Sequence, residues 1–145
     1  MDLGLRLSPG DSALRIQRGA LLGRMGRHAE SEEALRAALE LAPDSVEGQL
    51  NLGLALLRRG RHTDALEPLE RAMALAPDRG DVAFHLGEGC YHAGQLDRAL
   101  LALQRASELA PNDPRAYKLL GRLLDRLGRT EEAMAMHRKA RGAGS

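Results

Sequence analysis

The sequence predicts an all-α chain of antiparallel helix pairs stacked as a solenoid, and three observations predict it. First, residues recur 34 apart: Gly19, Gly53, Gly87 and Gly121 form one column, Gly26, Gly60, Gly94 and Gly128 a second, Pro43, Pro77 and Pro111 a third, and Ala38, Ala72, Ala106 and Ala140 a fourth. Second, apolar residues within a unit step by three and four, as in Leu52, Leu56 and then Leu66, Leu69 and Met73, which is the helical period. Third, 145 residues contain only three aromatics (Phe84, Tyr91 and Tyr117) and no Trp, so the core must come from Leu and Ala. Such a composition suits helices at close approach, each unit burying its face against a neighbour.

The elements follow in order. Residues 1–11 are in register with the tail of a preceding second helix, because Pro9 stands 34 before Pro43, and the amino end therefore reads as cut from something longer. Residues 12–45 form repeat 1, its first helix stopped by Gly26 and its second by Pro43; glycine takes the left-handed cap without steric cost. Residues 46–79 form repeat 2, entered through Asp44 or Ser45 as N-cap, with Pro68 predicted to bend its second helix. Residues 80–113 form repeat 3, with Asp78 as the candidate cap. Residues 114–145 form repeat 4, opened by Asp113 with Pro114 at the first helical position. Its second helix places Met134, His137, Arg141 and Ala143 where repeats 2 and 3 present Leu66, Leu69, Met73 and Leu75 or Leu100, Leu103 and Leu109, a polar terminal face that reads as a stop near Gly142.

These residues carry a family resemblance. The segments GRHAESEEALRAALELAPD, GRHTDALEPLERAMALAPD and GQLDRALLALQRASELAPN resemble the second half of a tetratricopeptide repeat, and NLGLALL, HLGEGCY and LLGRLLD its first half. The resemblance implies a right-handed superhelix whose first helices line a concave groove that binds a partner peptide. The bulky aromatic that the family often places early in the first helix is present only as Tyr117; Arg15, Gln49 and Ala83 stand at its other places. Some members clamp a terminal carboxylate with Lys, Asn and Arg on the first three such helices. Here only Asn51 matches that pattern, with Ile16, Ala20, Asp81 and His85 elsewhere, so that clamp is not expected.

The stripe implied to face the groove holds the candidate site. In repeat 2 it contains Leu50, Asn51 and Leu54, with Leu57 extending an apolar run that makes this helix apolar on both faces. Repeat 3 contributes Asp81, Phe84, His85, Glu88 and Tyr91; repeat 4 contributes Arg115, Lys118, Arg122 and Arg126. Residues 112–145 hold eight bases against four acids, whereas residues 1–111 hold thirteen against sixteen. The basic stripe reads as an anion site for acidic side chains, since Arg offers paired donors. The competing reading pairs Asp81 with Arg115 and Glu88 with Arg122 across adjacent helices. Two acids do not neutralise four bases, so surplus positive charge is expected to remain.

Several function classes are excluded at this level. Lys and Arg number 21 against 20 Asp and Glu, which leaves no global field for nucleic acid or an anionic membrane. No window reaches the roughly 18 apolar residues of a span, and MDLGLRLSPG has no basic leader, so a cytoplasmic protein is expected. The lone Cys90 forms no disulfide framework and reads as a core thiol. Asp81, His85, Glu88 and His92 share one helix face, but one face offers at most two or three ligands opposite a cationic helix, so neither metal nor cofactor is expected. Neither a phosphate loop nor a G-x-S-x-G turn nor an H-E-x-x-H pair is present. The expectation is a non-catalytic module whose groove binds a partner peptide, apolar towards repeats 1 and 2 and cationic at repeat 4. Two alternatives stand beside it: a recruiting arm of a larger enzyme such as a glycosyltransferase, and a homo-oligomerising scaffold.

Overall fold

The computed structural model describes residues 9–143 as eight helices, with no strand among the described residues. They are α1 (Pro9–Arg24), α2 (His28–Leu41), α3 (Val46–Arg58), α4 (His62–Leu75), α5 (Gly80–His92), α6 (Leu96–Leu109), α7 (Pro114–Arg126) and α8 (Thr130–Ala143). The proposed tail of a preceding repeat lies outside the described residues except for Pro9–Asp11, which stand at the start of α1. The chain divides into two compact units, one ending at Leu75 and one beginning at Ala76. In unit 1, α1 packs on α2, α3 on α4, and α3 also meets α1 and α2; in unit 2, α5 packs on α6, α7 on α8, and α7 also meets α5 and α6.

Every pair turns in the same way. Gly26, Gly60, Gly94 and Gly128 adopt φ of 79°, 77°, 80° and 75°, the left-handed region that glycine alone enters without strain. The residue after each donates its amide five residues back, Arg27 to Leu22, Arg61 to Leu56, Gln95 to Cys90 and Arg129 to Leu124, all at 2.9 Å. This closure satisfies carbonyls that a helix end would otherwise leave open.

The other glycine column sets how closely the pair approaches. A Cβ added at Gly19, Gly53 or Gly87 would stand 2.6, 2.5 or 2.6 Å from a side-chain carbon of Leu35, Leu69 or Leu103, each fully buried. At Gly121 the atom met is in the His137 ring. The small column between the helices completes the fit: Ala65, Ala99 and Ala133 are fully buried, and Ser31 in that place donates its hydroxyl to the Gly19 carbonyl at 2.7 Å.

Helix entries follow a 34-residue register at positions 45, 79 and 113. Ser45 accepts the Gly48 amide at 3.0 Å, so it and not Asp44 is the cap of α3, and Asp113 caps α7. Asp78 is not a cap. The register puts Arg79 at that place in α5, without a side-chain cap bond. Pro68 lies buried inside α4, which runs unbroken around it. Gln49, at the place where repeat 4 has Tyr117, is buried and donates its amide to the Pro43 carbonyl at 2.9 Å.

Unit 1 also holds a buried charge. Glu32 of α2 stands 34 before Leu66 and 68 before Leu100, yet it is 8% exposed and accepts from Arg36 at 2.9 Å, Arg59 at 2.6 Å and Arg61 at 3.4 Å. Burial alone would raise this carboxyl; hydrogen bonds from Arg36 and Arg59 and the charges of Arg36 and Arg61 outweigh it and hold it below its ordinary value. Arg59 and Arg61 flank the α3–α4 turn, so the carboxylate ties one helix pair to the next.

Three substitutions test these contacts. Gly53→Ala should lower unfolding free energy by about 1–2 kcal/mol in urea titration, the overpacking at Leu69 exceeding the better helix propensity of Ala. Gly142→Ala, with nothing within 4 Å, should be neutral or slightly stabilising. Because the folded carboxyl of Glu32 sits below its unfolded value, its contribution is present above about pH 4.3 and fades as pH falls through the folded value. Glu32→Gln should therefore cost on the order of 1 kcal/mol at pH 7, its arginines being half exposed, and the difference should shrink towards pH 3.

Candidate functional site

In unit 2, α5 and α7 bring the cationic and aromatic candidates together. The Arg115 guanidinium carbon stands 4.6 Å from the Phe84 ring centre, while those of Arg122 and Arg126 stand 5.7 and 5.1 Å from that of Tyr91. Cation–ring contacts at this range contribute about 0.5–1 kcal/mol at exposed sites. Tyr91 is buried beneath its two arginines, and Phe84 is half-buried beside the His85 ring in an edge contact at 5.1 Å. Positions 118, 122 and 126 are four apart on α7, which advances about 6 Å at each step.

The acids near this face are held locally. Asp81 accepts two bonds from Arg79, at 3.0 and 2.7 Å, and the Val82 amide at 2.9 Å. The Arg79 bonds hold its carboxyl below the usual range against a smaller effect of burial. Asp113 accepts Arg115 Nε on both oxygens and Nη2 at 2.8 Å; this pairing lowers the carboxyl and raises the guanidinium. His85 Nδ1 lies 3.1 Å from Glu88 Oε1 on the same helix. The anticipated Asp81–Arg115 contact is thus replaced by two sequence-local pairs, because an acid two residues from an arginine meets it with little ordering cost. The charges of Glu88 and Asp81 still reach Arg115 and reinforce its charged form. Asp-x-Arg at 113–115 and Arg-x-Asp at 79–81 were the signals that sequence reasoning passed over.

At the other end of the stripe the bases stand open. Lys118, Arg122 and Arg126 are exposed, and none has an acidic partner among the described residues. In unit 1, Leu50 and Leu57 are buried at 6% and 5% exposure, because α3 is covered by α1, α2 and α4. The expected second apolar stripe is therefore spent internally. Asn51 and Leu54 instead line a cavity of about 230 Å³ with Ala20, Arg24 and Arg58, and Asn51 donates to the Glu47 carbonyl at 2.8 Å. Cys90 is buried. Among the described residues no three His, Cys, Asp or Glu side chains converge as metal ligands, and no helix is long and apolar enough to cross a membrane.

Helix pairs locked by glycine, closed by left-handed glycines and repeated every 34 residues define a helix-pair repeat protein. Models of the tetratricopeptide repeat match residues 16–80, 56–123 and 91–141, and the chain belongs to that family. It is accordingly a protein-interaction module. Among solved structures, MamA from residue 41 to its end, from Desulfovibrio magneticus RS-1, is similar at 24% identity and a TM-score of 0.87, over 93% of this chain and 76% of that one. MamA of AMB-1 is similar at 26% identity and a TM-score of 0.80, over 92% and 78%. No curated protein matches the chain.

The cap and the pairing at Asp113 are separable. Asp113→Ala should cost about 1 kcal/mol in a urea titration, whereas Asp113→Asn, an equally good cap, should cost markedly less while releasing Arg115.

Proposed function

We propose that the chain binds a partner protein through an acidic segment laid on the α5–α7 face of unit 2. The observation that carries this reading is the run of Lys118, Arg122 and Arg126 on successive turns of α7, exposed and without acidic partners among the described residues, beside the Phe84 and Tyr91 rings. An unneutralised basic row steers and holds carboxylates, and neighbouring rings add apolar contact. In unit 1 the cavity beside Asn51 and Leu54 is the corresponding place for a small side chain of the partner.

A short fluorescent oligoglutamate peptide tests this by anisotropy across a salt series. Reversing Lys118 and Arg122 together to Glu should weaken binding at least about tenfold and flatten its dependence on salt. Equal affinity in the parent and doubly reversed chains would remove the face from the binding account.

A further inference from the structure

The four bases of α7 divide into two kinds. Arg115 has its Nε and Nη2 donors on Asp113 and its guanidinium carbon over Phe84, so one bidentate edge of the guanidinium is already filled by a carboxylate inside the unit. Arg122 and Arg126 have only the Tyr91 ring as partner among the described residues. A guanidinium against a ring engages through its π face, and its N–H edge lies in the plane, so an edge remains for a carboxylate. Two like charges on one ring also repel each other, and an anion shared between them relieves that repulsion. The ring beneath them is itself buried, which fixes the platform before a ligand arrives.

We propose that Arg122 and Arg126, backed by Tyr91, form an arginine-specific carboxylate cradle for an acidic peptide segment of the partner, and that Arg115 is a fixed strut and not a ligand contact. This rests on the reading of the α5–α7 face given above. Lys118, a compact ammonium one turn away, draws the segment in without demanding a planar approach. Two residues of an extended chain advance about 6.6 Å, close to the rise of about 6 Å between successive rungs, so acids on alternate residues suit the row.

The probe is a fluorescein-labelled peptide of alternating Glu and Gly, titrated by anisotropy at low ionic strength. Lysine at both places, Arg122→Lys with Arg126→Lys, preserves charge while removing the planar fork, and it should weaken the probe about tenfold. Tyr91→Leu should weaken it in the same direction with every charge intact. Because Tyr91 is buried, its circular dichroism and melting temperature are read alongside, and the lysine pair carries the result if Tyr91→Leu unfolds. Arg115→Lys should register chiefly as a lowered melting temperature. Should the parent chain bind and the lysine pair bind equally well, the cradle is overturned while the acidic-partner reading stands. Should Arg115→Lys weaken the probe as much as the lysine pair, the division of the row is overturned. If the parent chain itself does not bind the probe, both readings fall together.

Discussion

Where Gly19 meets Leu35, Gly53 meets Leu69 and Gly87 meets Leu103, the missing Cβ lets one helix of a pair rest on a single fully buried side chain of the other. The rest of the architecture depends on that contact. It brings the axes close enough for alanine to fill the remaining space, which is how a chain with three aromatics builds a close-packed interior at all. It also sets which residues are left to face outward. With one side of each first helix committed to its own partner and another to the neighbouring pair, the stripe that remains on α7 is the row at 118, 122 and 126.

The fold was legible because periodicity is a property of sequence. Glycine and proline columns mark turns by backbone chemistry alone, and the structure uses the column at 26, 60, 94 and 128 for positive φ and the other for close approach. Less legible was anything decided by competition between neighbours. Asp78 reads as a cap as well as Asp113 does until the helix register puts Arg79 at that position. Leu50 and Leu57 read as an exposed stripe, yet α3 is covered on several sides at once, and a helical wheel drawn for one helix does not know how many neighbours it has. Of the candidate site, helical spacing alone put the bases of α7 on one face, whereas the local pairs at 79–81 and 113–115 depend on short-range competition that a helical wheel does not display.

Charge is handled in two ways in this molecule. Glu32 shows the enclosed solution, a carboxylate drawn inward where repeats 2 and 3 have leucine and held by Arg36 on its own helix and by Arg59 and Arg61 across a turn. Arg115 and Asp113 show a partly exposed version at the start of a helix. On Lys118, Arg122 and Arg126 no such compensation has been built. A protein with nearly balanced total charge can therefore carry a row of uncompensated cations on one helix face, which an overall count of ionisable residues averages away.

The last helix pair departs from the lock at one point. His137 lies against Gly121 where leucine stands in the other three pairs, and its Nε2 meets Asp125 at 3.0 Å with about a third of the side chain in water. A wet, polar contact shields less apolar area than a buried leucine, so the helices it joins have the smaller reserve against local opening. Amide hydrogens of α8 should then exchange with solvent sooner than those of α6. The helix that carries the basic row thus rests on the most easily loosened seam of unit 2, and an anchored ligand there would slow exchange well beyond its own contacts.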